Sequence, residues 1–164
     1  MTAAKSEISM VQANTPEEIA CARELFLEYA RSLNFSLCFQ GFDQELSGLP
    51  GAYAAPDGRL RLAKCGALWA GCVAMHPLEP EVCEMKRLYV RPAFRGRGVG
   101  RALVDQIIRD ARNMGYKRMR LDTVEPVMKD AVAMYRRLDF REIPAYRPNP
   151  IAGTLYMELK LIDG

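Results

Sequence analysis

The segment Arg95-Gly96-Arg97-Gly98-Val99-Gly100-Arg101 constrains this chain more than any other. It stands between Val82 to Val90, which reads as a strand, and a helical stripe of Val99, Leu103, Ile107, Ala111 and Met114. Its glycines let the backbone turn sharply and come close to a ligand. The first amides of the helix then face outward at the positive end of the helix dipole. Such a terminus suits phosphate oxygens, and flanking arginines add charge-assisted hydrogen bonds.

The remaining pattern builds a sheet around that junction. Glu7 to Ala13 alternates weakly, as a short strand does. Thr15-Pro16-Glu17-Glu18 opens a helix, with Thr as cap and Glu at the third position. Ile19, Ala22, Phe26, Tyr29 and Leu33 follow on one face. Phe35 to Ala55 is broken by glycine and proline, with room for a short helix over Asp43 to Leu49. Arg59 to Lys64 alternates as a half-buried strand, and Leu68 to Met75 is apolar enough for a central one. Pro77 and Pro80 mark a turn before Val82. Gly115 stops the central helix. Then come a strand over Lys117 to Val124, a helix over Met128 to Leu138, a short strand over Phe140 to Ile143, a Pro-rich loop from Pro144 to Gly153 and a last strand over Leu155 to Leu161. This order predicts an α/β (α+β) fold: one mixed, mostly antiparallel twisted sheet flanked by helices. The 164 residues show no repeat or linker, and 49% hydrophobic content is enough for one domain, residues 1–164, with a single core.

Composition excludes the disordered and low-complexity classes. Cys65 to Leu78, 14 residues, is the longest stretch without a formal charge and is too short to span a membrane. Met1 to Glu7 lacks the apolar core of a signal peptide, so a cytoplasmic protein is expected. Cys21, Cys38, Cys65, Cys72 and Cys83 show no C-x-x-C spacing, and His76 has no metal-like companion. Reduced, buried thiols are expected, with no zinc site and no activated cysteine nucleophile. The net charge of +3 conceals an asymmetry: residues 86 to 120 hold eleven Lys and Arg against two Asp, or +9, leaving −6 elsewhere. A uniform nucleic-acid coat does not fit that distribution; one anion site does.

The glycine turn lacks the Lys-Ser/Thr ending of a nucleotide P-loop, and a dinucleotide fingerprint would need its third glycine at Arg101 or Leu103. A solvated basic turn closing a strand–helix junction is the plain alternative. Arg95-x-x-Gly98-x-Gly100, however, resembles the R/Q-x-x-G-x-G/A motif of the GCN5-related N-acetyltransferase (GNAT) superfamily, whose loop amides hold the pyrophosphate of acetyl-coenzyme A. Glu84 to Pro92 is similar to the strand before that loop, and Ala131 to Phe140 to the second cofactor motif, A-x-x-(L/F)-Y-x-x-x-G-F. The resemblance is specific from Val82 to Phe140 and compatible in element order from Glu7 to His76. Asp139 stands where the family often has glycine, and Met128 where many members have an asparagine that touches the cofactor arm. The resemblance implies a GNAT-like acyl-CoA N-acyltransferase fold with acetyl-coenzyme A as cofactor. It places Arg95, Gly96, Arg97, Gly98, Val99, Gly100 and Arg101 at the pyrophosphate, and the backbone of Leu88, Tyr89 and Val90 along the pantetheine arm.

Acetyl transfer to an amine poses two proton problems. An alkylamine, with a pKa near ~10.4, arrives protonated, and the departing thiolate benefits from a proton. The resemblance places Tyr135 near the thioester sulfur as candidate acid, although Ala131, Tyr135 and Leu138 also fit a core stripe. Glu84, where several family members carry a catalytic glutamate, is the candidate base. Its parity with Val82, Leu88 and Val90 puts it on their face in the absence of a bulge, in surroundings that raise a carboxylate pKa. An ion pair with Lys86 or Arg87, with water as the base, is the alternative. Asp122 and Thr123 either face the acceptor or cap a strand end. His76 is either a base or structural, and Arg87 and Tyr89 face substrate or solvent. Pro144 to Pro150 is expected to wall the acceptor site.

The reading is an acetyl-coenzyme A-dependent N-acetyltransferase acting on a primary amine of a small-molecule or peptide acceptor, by direct attack in a ternary complex and without a metal. An inactive acyl-coenzyme A-binding sensor is one alternative. A nucleic-acid-binding protein is another, opposed by the scarcity of stacking residues in the basic segment, where only Tyr89, Phe94 and Tyr116 serve. Neither nucleic acid nor membrane is expected as a partner. The oligomeric state stays open, family members often being dimers. The acidic remainder of the chain favours cationic amines by long-range attraction.

Overall fold

The computed structural model describes residues 7–37 and 41–162; Cys38 and the first six residues, on which two expectations fall, lie outside them. The elements are β1 (Ile8–Gln12), α1 (Pro16–Ser32), α2 (Phe42–Ser47), β2 (Arg59–Cys65), β3 (Leu68–Glu79), β4 (Val82–Val90), α3 (Val99–Asn113), β5 (Arg118–Val124), α4 (Lys129–Arg137), β6 (Arg141–Ile143) and β7 (Thr154–Lys160). The strands form one sheet in the order β1-β2-β3-β4-β5-β7-β6. Neighbours are antiparallel except β4 and β5, which are parallel and joined through α3. The expected mixed, mostly antiparallel sheet with flanking helices is the observed one.

Local chemistry accounts for the first helix. Thr15 Oγ1 accepts the Glu18 N–H at 3.2 Å, and Glu18 Oε1 accepts the Thr15 N–H at 3.0 Å, the reciprocal box that the spacing predicts. The buried side of α1 is Cys21, Ala22, Leu25 and Phe26, while Ile19, Tyr29 and Leu33 of the predicted stripe lie at its margin. The sheet divides the apolar interior into two layers instead of a single core. Met75, Met85, Leu103, Ile107 and Met119 fill the α3 side, and Phe26, Phe42, Leu60, Leu62 and Tyr89 the α1 side. Cys21, Cys65, Cys72 and Cys83 are buried and unpaired, and burial pushes the Cys21 thiol up to about 11 and Cys83 up to about 12. No helix among the described residues is long and apolar enough to cross a membrane.

Two strand details depart from expectation. β3 does not turn at Pro77; it runs to Glu79, and the register shifts between Pro77 and Glu79. A proline is tolerated at such an irregularity because no ladder bond is asked of its missing N–H. In β4, Tyr89 pairs with Cys72 and Lys86 with Ala74, so three steps of β4 oppose two of β3. The extra residue is accommodated near Arg87, whose φ is 63°. Side-chain parity reverses there. Met85, Leu88 and Val90 all pack on the α3 side, and Glu84 falls on the opposite face.

Candidate active site

β4 and β5 pair only from Val82–Glu84 against Arg118–Arg120. Beyond that they separate, leaving the β5-facing backbone edge of Met85 to Val90 without a strand partner. α3 begins at the open end of this wedge. Gly98 caps it in the left-handed region at φ 80°, with no side-chain cap. The Ala102 N–H returns to the Gly98 carbonyl at 3.0 Å, whereas the amides of Val99, Gly100 and Arg101 have no backbone acceptor among the described residues. Gly100 lies inside the helix, where glycine costs roughly 0.5–1 kcal/mol against alanine. A Cβ there would meet only Val90 Cγ2, at 3.6 Å, an ordinary contact. Packing within the protein therefore does not require glycine at this position.

Wedge and helix start enclose a groove of about 790 Å³. Of the predicted cofactor residues, Leu88, Tyr89, Val90, Arg95, Gly96, Gly98, Val99 and Gly100 line it, together with Tyr135. Arg97 and Arg101 do not. The Arg97 guanidinium lies over the Phe94 ring at 5.7 Å, and Arg101 Nε donates to Asp105 at 3.1 Å. Arg95 Nε donates to the Val90 carbonyl at 3.1 Å, drawing the loop back onto the end of β4. The basic segment is also less free than its charge implies. Arg87, Arg91, Arg101, Lys117, Arg118 and Arg120 are all ion-paired, whereas the first amides of α3 have no backbone acceptor among the described residues.

Tyr135 is held by the way α4 ends. The Asp139 N–H returns to the Arg136 carbonyl at 3.1 Å and the Phe140 N–H to the Tyr135 carbonyl at 3.0 Å, with Asp139 at φ 74°. This is a Schellman closure, and the Tyr135 and Phe140 rings make its apolar contact at 5.5 Å. The left-handed position explains why glycine suits the site of Asp139. The Tyr135 hydroxyl has no hydrogen-bond partner among the described residues, and burial pushes its pKa up, so it stays a proton donor.

Glu84 behaves otherwise than expected. It is fully buried, but on the α1 side and outside the groove lining. Its Oε1 meets His76 Nε2 at 2.9 Å, while Oε2 accepts Tyr146 Oη at 2.6 Å and Arg147 Nη2 at 2.5 Å. Burial pushes the carboxyl up, but the bonds to His76, Tyr146 and Arg147 more than offset it and bring the pKa down to about 2. The raised pKa expected on the face of Leu88 and Val90 is corrected by the bulge at Arg87. His76 is part of this network, in edge contact with Tyr53 at 5.8 Å.

Known proteins resemble this chain in sequence and in fold. A model of the acetyltransferase (GNAT) family matches residues 21–140. A Schizosaccharomyces pombe protein described as an uncharacterized N-acetyltransferase is 37% identical over 158 residues, which cover 95% of this chain and 96% of that one. The chain belongs to the GNAT acetyltransferase family. Its fold matches a GNAT-family acetyltransferase of Staphylococcus aureus with a TM-score of 0.77 at 18% identity, over 95% of this chain and 100% of that one. A Salmonella typhimurium protein described as an acetyltransferase, solved with its cofactor acetyl-CoA, matches with a TM-score of 0.65 at 15% identity, over 96% and 95% of the two chains.

In this GNAT chain a second, narrow cleft opens on the α1 side of the wedge. Phe35, Leu37, Thr123 and Asn149 line it without reaching the groove. Tyr29, Met85, Lys86, Arg87, Asp122 and Met128 line both depressions, which therefore meet where the strands part. The Pro-rich loop reaches the cleft through Asn149, whose Nδ2 donates to Asp122 Oδ2 at 3.4 Å. Met128 is the N-cap of α4, and Thr123 Oγ1 donates to its sulfur at 3.2 Å. In sequence Lys86 is a strand residue of the basic segment and a candidate ion-pair partner for Glu84; nothing local marks it as a lining residue.

Proposed function

We propose that this GNAT chain transfers the acetyl group of acetyl-coenzyme A to a primary amine of an acceptor, by direct attack in a ternary complex. The observation that carries the reading is the meeting of two depressions at the β4–β5 wedge, one with unpaired helix amides and a proton donor, the other lined by Phe35, Leu37 and Asn149. The likeness to a fold neighbour solved with acetyl-CoA supports the choice of cofactor.

When bound, acetyl-coenzyme A supplies the acetyl group as an activated thioester and leaves as the free thiol. The amides of Val99, Gly100 and Arg101 fit pyrophosphate oxygens, because they are unpaired and converge at the positive end of α3. The backbone edge of Leu88 to Val90 fits the amides of the pantetheine arm as a neighbouring strand would. Tyr135 gives a proton to the departing sulfur. Glu84 is a positioning residue that holds Tyr146 and Arg147. Among the described residues, Asp122 is the carboxylate common to both linings, and it takes the proton that the amine loses. Positioning two reactants at one junction supplies much of the rate in such a transfer.

The test is release of free thiol from acetyl-coenzyme A across a panel of amines. Release that depends on the amine supports transfer. Coenzyme A binding without release from any amine would point to the sensor reading instead.

A further inference from the structure

The charged groups around the second cleft are compensated, with two exceptions. Arg87 is buried but forked onto Glu45, at 2.8 and 3.1 Å. Glu84 is matched by Arg147 and hydrogen-bonded to Tyr146 and His76. Lys86 is half-buried and has neither a hydrogen bond nor an ion pair among the described residues. Burial lowers its pKa, and the positive charge of Arg87 lowers it further. Asp122 has one long hydrogen bond, from Asn149, and its Oδ1 is free. Lys86 and Asp122 line the same cleft and do not pair with each other. A half-buried charge held apart from an available opposite charge is unfavourable unless something brings its partner.

We propose that the acceptor is a small amino carboxylate, its amine at Asp122 and its carboxylate at Lys86. The apolar body lies against Phe35, Leu37 and Met128. The inference rests on the acetyltransferase reading and narrows its substrate class. It departs from the simple cationic amine expected from the acidic balance of the chain, because the cleft itself presents one charge of each sign.

The experiment uses probes that differ only at the carboxylate: leucine, methionine and phenylalanine against leucinamide, methioninamide and phenylalaninamide. Binding is read by calorimetry with coenzyme A present, and turnover by thiol release. Each amide is expected to show a Kd and KM higher by about tenfold or more, the scale of a lost charge-assisted contact. In Lys86→Met the ratio is expected to collapse to within about twofold, which separates carboxylate recognition from the lower amine pKa of the amides. The wild-type comparison stands even if that variant fails to fold. Equal Kd and KM for acids and amides would overturn the inference and leave acetyl transfer intact. Selective binding of the acids without thiol release would support the ligand class and overturn transfer. No binding and no release with any probe would overturn the inference.

Discussion

The Tyr146 hydroxyl donates to Glu84 Oε2 at 2.6 Å across 62 positions of chain. With Arg147 on the same oxygen, it ties the loop before β7 to the middle of the sheet. A carboxylate so occupied stays ionised and binds a proton weakly.

Glu84→Gln is therefore expected to act on stability more than on catalysis. Removing one partner strands the Arg147 cation, at a cost of about 2–3 kcal/mol once the partial exposure of Arg147 is allowed for. Urea unfolding measures this. The kcat/KM–pH profile should keep its shape; loss of its acidic limb in the variant would restore Glu84 as the base.

The same carboxyl predicts acid sensitivity. Its pKa lies near 2 in the folded chain against 4.5 ordinarily, so its contribution is full above about pH 4.5 and is lost as pH falls towards 2. The loss is on the order of 3 kcal/mol. Acid unfolding followed by circular dichroism should show a midpoint shift between wild type and Glu84→Gln only in that window.

Tyr135→Phe keeps the ring contact with Phe140 and removes the donor. Turnover should fall by about 10²-fold, the lower end for general acid catalysis, with coenzyme A affinity and melting temperature nearly unchanged. Undiminished turnover in the folded variant would end the acid role.

Gly100→Ala should have opposite effects on the free and bound protein. With only Val90 Cγ2 near the new Cβ, the unliganded chain gains roughly 0.5–1 kcal/mol in the helix. Coenzyme A affinity should fall by about tenfold as the methyl enters the phosphate cradle. Thermal unfolding without ligand and calorimetry with coenzyme A read the two signs separately.

Asp139→Gly should stabilise by about 0.5–1 kcal/mol, because Asp139 closes α4 in the left-handed region at φ 74°. A lower denaturation midpoint in the variant would show that the aspartate side chain does more than tolerate that conformation.

Short spacings along the chain specified local structure. Thr15 and Glu18 lie three residues apart and cap α1 with each other's backbone, so the order of letters is the interaction. Gly98 before an apolar helical stripe likewise specifies a left-handed cap and a row of unpaired amides. The run from Ala131 to Phe140 contains its own closing contact, between Tyr135 and Phe140. The bulge at Arg87 was not legible, because it is a count of β4 residues against the β3 residues they face, and only the pairing of Tyr89 with Cys72 and Lys86 with Ala74 reveals it. That single extra residue turned Glu84 to the other face of the sheet, where Tyr146 and Arg147 had been folded to meet it. Tertiary structure alone also parted β4 from β5 beyond Glu84 and so brought Lys86 and Asp122 to one cleft. Local signals depend on spacing along one element; a charge's partner depends on which elements the sheet places side by side.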